Sequence, residues 1–335
     1  MKTLKNKPSR LVYVLSLICT GSFCGDKFAF AQNTAVSPAI TQVQLAALSP
    51  DEQDLSNFVR IQPACDTWDK QSRVLTDGFG LDEEFLPLLP SGPNIEHVST
   101  LYRLLYTSDA VYSIRIVVRL ADTPASAKHV LFDSSMRQTP FKHGTFDSPI
   151  SIGDESWCSF DGGSKLLFRA GRVVVDLSGE LSNDARNSGN YPAFPHAALE
   201  AVAYQIMLRA AQQPELTDVT PEQASVNING HALPKNALML GKQVYVPVAE
   251  FAKAMGLTSR WNAKTGALTL SGAGHKAVAL TAGSTAAKVG GMAAAALKVS
   301  VLKQAGQPVM TLDDLLTLTG GRVTGRSGNV VQVKA

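Results

Sequence analysis

Between residues 112 and 120 the chain alternates strictly. Tyr112, Ile114, Ile116, Val118 and Leu120 fall on one side, and Ser113, Arg115, Val117 and Arg119 on the other. A period of two is that of a strand with one buried face. Asp122-Thr123-Pro124 ends the run and starts a helix that extends to about Met136, because proline fits the first helical turn, where its missing N–H is not needed. Residues 165–169 and 172–177 flank Ala170-Gly171 and predict a hairpin turned at the glycine. From His196 the period changes to 3.6, and Leu199, Val202, Ile206 and Ala210 mark the apolar face of a helix, with Arg209 at its edge. Strand, helix, irregular loop, hairpin and helix together predict an α+β sheet-and-helix domain over residues 51–211.

The pattern changes after Gln212-Gln213-Pro214-Glu215, and residues 212–222 are expected to form a linker. Val226-Asn227-Ile228-Asn229-Gly230 reads as a strand running into a turn at Gly230. Gln243-Val244-Tyr245-Val246-Pro247-Val248 reads as a second strand passing into a helix through Met255. Pro247 fixes the backbone at the junction, and Gly256 accepts the left-handed position that closes the helix. Arg260-Trp261-Asn262-Ala263-Lys264-Thr265-Gly266 makes a turn into the strand 267–270, with Trp261 at one edge of the apolar core. These motifs, over residues 225–271, resemble the copper amine oxidase N-terminal-like domain, a stalk module. The resemblance implies an accessory, non-catalytic role for residues 223–272.

The same pattern recurs 64 residues on. The segment from Tyr245 to Gly256 aligns without gaps with the one from Val309 to Gly320, and a one-residue slip then places Leu268-Thr269-Leu270 on Val331-Gln332-Val333. In this degenerate copy, residues 273–335, Thr311 replaces the proline and no tryptophan follows Gly320. An internal repeat of this size argues for an array-like module. The expected architecture is therefore α+β throughout, the N-terminal domain being followed by a tandem of small antiparallel-sheet-plus-helix repeats.

Export is read from the first 31 residues. Lys2, Lys5, Lys7 and Arg10 precede the apolar run 11–19, and Ala29 and Ala31 supply the small residues of a cleavage site after Ala31. This is the build of a secretory signal peptide, and the run is shorter than a membrane span. The mature protein is expected in the periplasm or outside the cell, with a flexible leader over 32–50 and no membrane span. An oxidising compartment then favours a disulfide between Cys65 and Cys158, against two free thiols or a reactive cysteine.

Without the signal peptide the chain is nearly neutral, but its halves are not. Residues 32–222 hold 14 basic and 24 acidic side chains, whereas residues 223–335 hold 12 and 3. A field of that sign attracts anionic polymers or surfaces, and Lys235, Lys242, Arg260 and Lys264 are the candidate anion-binding residues. Nucleic acid is not expected, because no basic patch is interleaved with aromatics.

Candidate chemistry is sparse. The six histidines never fall in His-x-His or His-x-x-x-His spacing, so no metal site is expected. An amine oxidase needs an Asn-Tyr-Asp or Asn-Tyr-Glu motif for its quinone cofactor, and here Asn190-Tyr191 is followed by Pro192. No cofactor is expected. Gly272-Ala273-Gly274 lacks the βαβ setting of a dinucleotide loop. The adjacent carboxylates Asp154 and Glu155 mark where a catalytic site would lie if the N-terminal domain were an enzyme or an enzyme subunit. The preferred reading is an exported, non-catalytic envelope protein that binds or tethers to an envelope glycan, another envelope polymer or a protein partner.

Overall fold

The computed structural model describes residues 42–61, 68–75, 98–138, 152–159, 164–234, 237–240, 243–294, 296–297 and 301–334. The signal-peptide segment, Cys65, Lys235 and Lys242 lie outside these residues. The N-terminal elements run α1 (Gln42–Leu48), α2 (Glu52–Phe58), β1 (Trp68–Leu75), β2 (Val98–Thr107), β3 (Tyr112–Ala121), α3 (Pro124–Gln138), β4 (Glu155–Ser159), β5 (Ser164–Ala170), β6 (Val173–Leu181), α4 (Asn183–Ser188), α5 (His196–Ala211) and α6 (Pro214–Thr217). Six antiparallel strands form one sheet in the order β1-β2-β3-β6-β5-β4. The even-numbered apolar residues of β3 sit in the main core with Leu101, Phe168, Val175 and Leu177. On the opposite face α3 covers Leu167 and Val174 with Ala127, Val130 and Leu131.

The helix starting at His196 departs from the expected single apolar face. In α5 eleven residues are buried, among them Ala198, Leu199, Ala201, Val202, Ala203, Ile206 and Leu208. A helix that is apolar all round belongs in an interior, and α5 packs on β5 and β6 on one side and on the C-terminal half on the other. Residues 42–50, expected within a flexible leader, include α1, whose Leu45 and Leu48 are buried. The following carbonyls are gripped by arginines. Arg103 donates to the Ser49 carbonyl at 2.9 Å and to that of Pro50. Arg209 donates to the Ser49 carbonyl at 2.8 Å and pairs with Asp54 at 2.6 Å.

The C-terminal half continues β7 (Glu222–Ile228), β8 (His231–Ala232), β9 (Ala237–Leu240), β10 (Gln243–Pro247), α7 (Val248–Ala254), β11 (Thr258–Asn262), β12 (Ala267–Gly272), β13 (His275–Thr281), β14 (Ala287–Val289), β15 (Met292–Ala293), β16 (Leu302–Gln304), β17 (Gln307–Thr311), α8 (Leu312–Thr319), β18 (Arg322–Ser327) and β19 (Val330–Lys334). One sheet has the order β16-β17-β10-β9-β7-β19-β18, with β8 beside β7, and the other is the meander β11-β12-β13-β14-β15. The segments that align 64 residues apart have the same local build. Hairpin β9–β10 closes at Leu240 and Gln243, and hairpin β16–β17 at Gln304 and Gln307. Helices α7 and α8 begin after Pro247 and Thr311, and the left-handed Gly256 and Gly320 follow their ends. Where Pro247 uses a fixed φ, the Thr311 hydroxyl accepts the Asp314 N–H at 3.2 Å, a side-chain cap that does the same task.

These segments are not serial beads. The antiparallel pair β10–β17 places Val246 opposite Met310, its own counterpart in the alignment. The last strand, β19, returns to pair in parallel with β7. Ala39–Ala335 form one compact unit. Residues 212–222, expected as a linker, instead contain α6 and a fully buried Thr217. The Arg172 N–H donates to the Thr217 carbonyl at 2.8 Å, and a β-carbon on Gly171 would overlap that carbonyl, so the β5–β6 turn needs glycine for space as well as for its φ of 53°. Gly283 meets the Phe58 backbone more closely still. Gln205 reaches from α5 to the edge strand β16. Its Nε2 donates to the Lys303 carbonyl at 2.8 Å, and its Oε1 accepts the Lys303 N–H at 3.1 Å, as a neighbouring strand would do.

Candidate functional site

The carboxylates at the start of β4 are occupied by structural contacts. Arg169 on β5 holds Asp154 at 2.8 Å and Glu155 at 3.1 Å, and it also donates to the Gly171 carbonyl. Asp154 accepts the Gly171 N–H at 2.9 Å. One guanidinium pairs with both acids and ties β4 to the β5–β6 turn. Among the described residues no three His, Cys, Asp or Glu side chains gather as metal ligands. Cys158 is buried on β4 opposite Leu166; its expected partner Cys65 is outside the described residues.

A second polar group lies where α5 meets β10. The rings of Tyr204 and Tyr245 stand 5.5 Å apart. Burial pushes the phenols of both above the usual tyrosine range. One turn and two turns before Tyr204 lie Glu200 and His196, with Oε1 and Nε2 3.5 Å apart. Burial raises the Glu200 carboxyl and lowers the His196 imidazole. Both shifts favour the neutral forms, so desolvation outweighs the attraction of the ionised pair at this distance. The cluster is a packed junction between the halves, with Tyr245 at 1% exposure.

The motif residues of the C-terminal half serve the fold. Asn229 and Gly230, with φ of 52° and 84°, make the β7–β8 turn. Trp261 is half-buried against the core, and its indole N–H donates to the Gly306 carbonyl at 3.0 Å, fastening the meander to the β16–β17 turn.

The meander has one apolar and one polar face. Leu268, Leu270, Val278, Leu280 and Ala287 point inward and are buried. Outward, Arg260, Thr269, Ala279 and Lys288 form one cross-strand row over β11, β12, β13 and β14. All four are exposed, as is Lys264 on the β11–β12 turn. No acidic residue occurs between Glu250 and Asp313, and among the described residues no ion pair engages Arg260, Lys264 or Lys288. Arg260 and Lys264 were candidate anion-binding residues; Lys288 was not. Its signal was the alternation of Ala287, Lys288 and Val289, which gains meaning only once β14 is placed beside β13.

Behind this sheet, a cavity of about 320 Å³ opens between its inner face and the end of α8. Leu257, Leu270, Val278, Val289 and Leu318 make the apolar part of its wall, and Gly274, His275, Lys276, Thr317, Thr319 and Gly320 line the rest.

The copper amine oxidase N-terminal domain family matches residues 226–331. The matched span opens at Val226 on β7 and closes at Val331 on β19, and these two residues are register partners. A single match thus encloses the interlocked sheets, including both aligned segments. In copper amine oxidases the domain that this family describes is non-catalytic and stalk-like. No curated protein and no solved structure matched the chain. Among the described residues no helix is long and apolar enough to cross a membrane.

Proposed function

We propose that this is an exported, non-catalytic cell-envelope protein whose C-terminal module binds an anionic envelope polymer through the outer face of the five-stranded sheet. The observation that carries the reading is the exposed Arg260–Thr269–Ala279–Lys288 row in a stretch without acids. Small side chains between the cations leave a face on which an extended polyanion can lie, and the positive field draws it there. The strand–helix–hairpin unit is built twice about the Val246–Met310 pair, so the module is a rigid support for that face, welded through α5 to the N-terminal domain. The Arg169 pairing of Asp154 and Glu155 gives the alternative of an enzyme site in the N-terminal domain no support.

The test is co-sedimentation of the whole mature chain with isolated cell envelope at two salt concentrations. Binding is expected at 0.1 M salt and lost at 1 M, where the screening length falls from about 10 Å to about 3 Å. The double variant Arg260→Glu, Lys288→Glu should fail to bind at either. Equal binding at both concentrations would replace the polyanion with a neutral glycan or a protein partner.

A further inference from the structure

We infer that the cavity under the end of α8 is a binding site for a single N-acetylated amino-sugar unit. At about 320 Å³ it stands at the small end of ligand pockets, sized for one sugar residue rather than a chain. Its chemistry is of three kinds. Leu257, Leu270, Val278 and Val289 offer an apolar wall that suits an acetyl methyl and the C–H face of a sugar ring. The last turn of α8 offers acceptors. Thr317 to Gly320 line the cavity; the Gly320 N–H answers the Leu316 carbonyl at 2.9 Å, and the carbonyls that follow at a helix end have no intrahelical donors. Lys276, exposed at the irregularity where the β12–β13 register shifts, lines the mouth and offers a cationic donor, and His275 lies beside it.

This combination selects against simpler ligands. The helix C-terminus carries partial negative charge and disfavours a carboxylate or phosphate beside it. Lys276 disfavours a free cation. A fatty chain would desolvate the carbonyls of the last turn without giving them donors, which is unfavourable. An N-acetylated hexosamine meets all three features: its amide N–H and hydroxyls donate to the helix carbonyls, its amide oxygen accepts from Lys276, and its methyl enters the apolar wall. The site is on the opposite side of the sheet from the Arg260–Lys288 row. It deepens the envelope-binding reading, which supplies only the source of the sugar.

The test is titration of the whole mature chain with N-acetylglucosamine, followed by calorimetry or by protein NMR shifts. Saturable binding in the millimolar range is expected, about tenfold weaker for glucose, which lacks the acetamido group. Thr317→Trp, at an exposed position on the mouth, should abolish binding with the fold unchanged by circular dichroism. Lys276→Ala should weaken it about fivefold to tenfold. The Arg260→Glu, Lys288→Glu variant should bind the sugar as wild type does, even where it no longer binds envelope, so the two ideas can fail separately. Absence of saturable binding, equal affinity for glucose, or unchanged binding by Thr317→Trp would overturn the site.

Discussion

At the scale of single residues, Gln205 carries more than its polarity suggests. Its amide replaces a missing strand at Lys303, with two hydrogen bonds in the seam between α5 and β16. Gln205→Ala leaves a backbone donor and acceptor unpaired there, so a loss of about 1–3 kcal/mol in denaturant unfolding is expected. A change within about 0.5 kcal/mol would mean that the seam is wetted and the bonds are replaced by water. His196 adds a pH dependence whose sign is set by burial. Its folded pKa lies below the ordinary value, so the folded protein binds that proton less readily than the unfolded chain. The stability it contributes is present above the ordinary histidine pKa of about 6.5 and is lost as pH falls through the folded value. Glu200 has the opposite sign: with a raised folded pKa, its contribution is present at low pH and lost as pH rises. Thermal unfolding of His196→Gln should therefore lose less stability on acidification than wild type, whereas an identical acid limb would assign the loss to other groups.

At the scale of elements, the two aligned helices are started by different means. α7 follows Pro247 without a side-chain cap, and α8 follows Thr311 with one. Thr311→Val keeps the shape and removes the hydroxyl. It deprives the Asp314 N–H of its acceptor and Asp314 Oδ2 of the hydroxyl that donates to it at 2.6 Å. A cost of about 1–2 kcal/mol is expected, larger than that of Pro247→Ala, whose effect is on the unfolded chain and about 0.4–1 kcal/mol. Equal costs would show that packing of α8 on β10 and β17, rather than its cap, holds the helix start.

At the scale of the whole molecule, α5 joins what the sequence separates. The six-stranded sheet packs on one side of it and the C-terminal sheet on the other, and Arg60 adds a hydrogen bond to the Thr265 carbonyl at 3.1 Å. Residues 39–335 should therefore unfold in one cooperative transition, and limited proteolysis should leave residues 211–222 intact. Two resolved calorimetric transitions, or a primary cut in that stretch, would show that the halves separate more easily than their buried seam implies.

Local patterns were enough to place β3, α3, the β5–β6 hairpin, α5, β10 and α7, because period, proline and glycine act within a few residues, and α8 followed from its alignment with α7. The V-x-I-N-G, Y-V-P and tryptophan-turn motifs of residues 225–271 pointed to the family that matches residues 226–331. What needed the tertiary structure was every relation between distant segments. Leu45 and Leu48 looked like part of a spacer because nothing near them in sequence shows what buries them. The 3.6 period gave α5 one apolar face, and only the second sheet shows why eleven of its residues are buried. Two aligned segments read as successive beads, whereas β19 pairs with β7 and β10 with β17, since strand pairing is non-local and follows no linear order. The cationic row was half legible for the same reason: Arg260 and Lys288 are 28 positions apart in the chain, and the antiparallel meander puts them on one line.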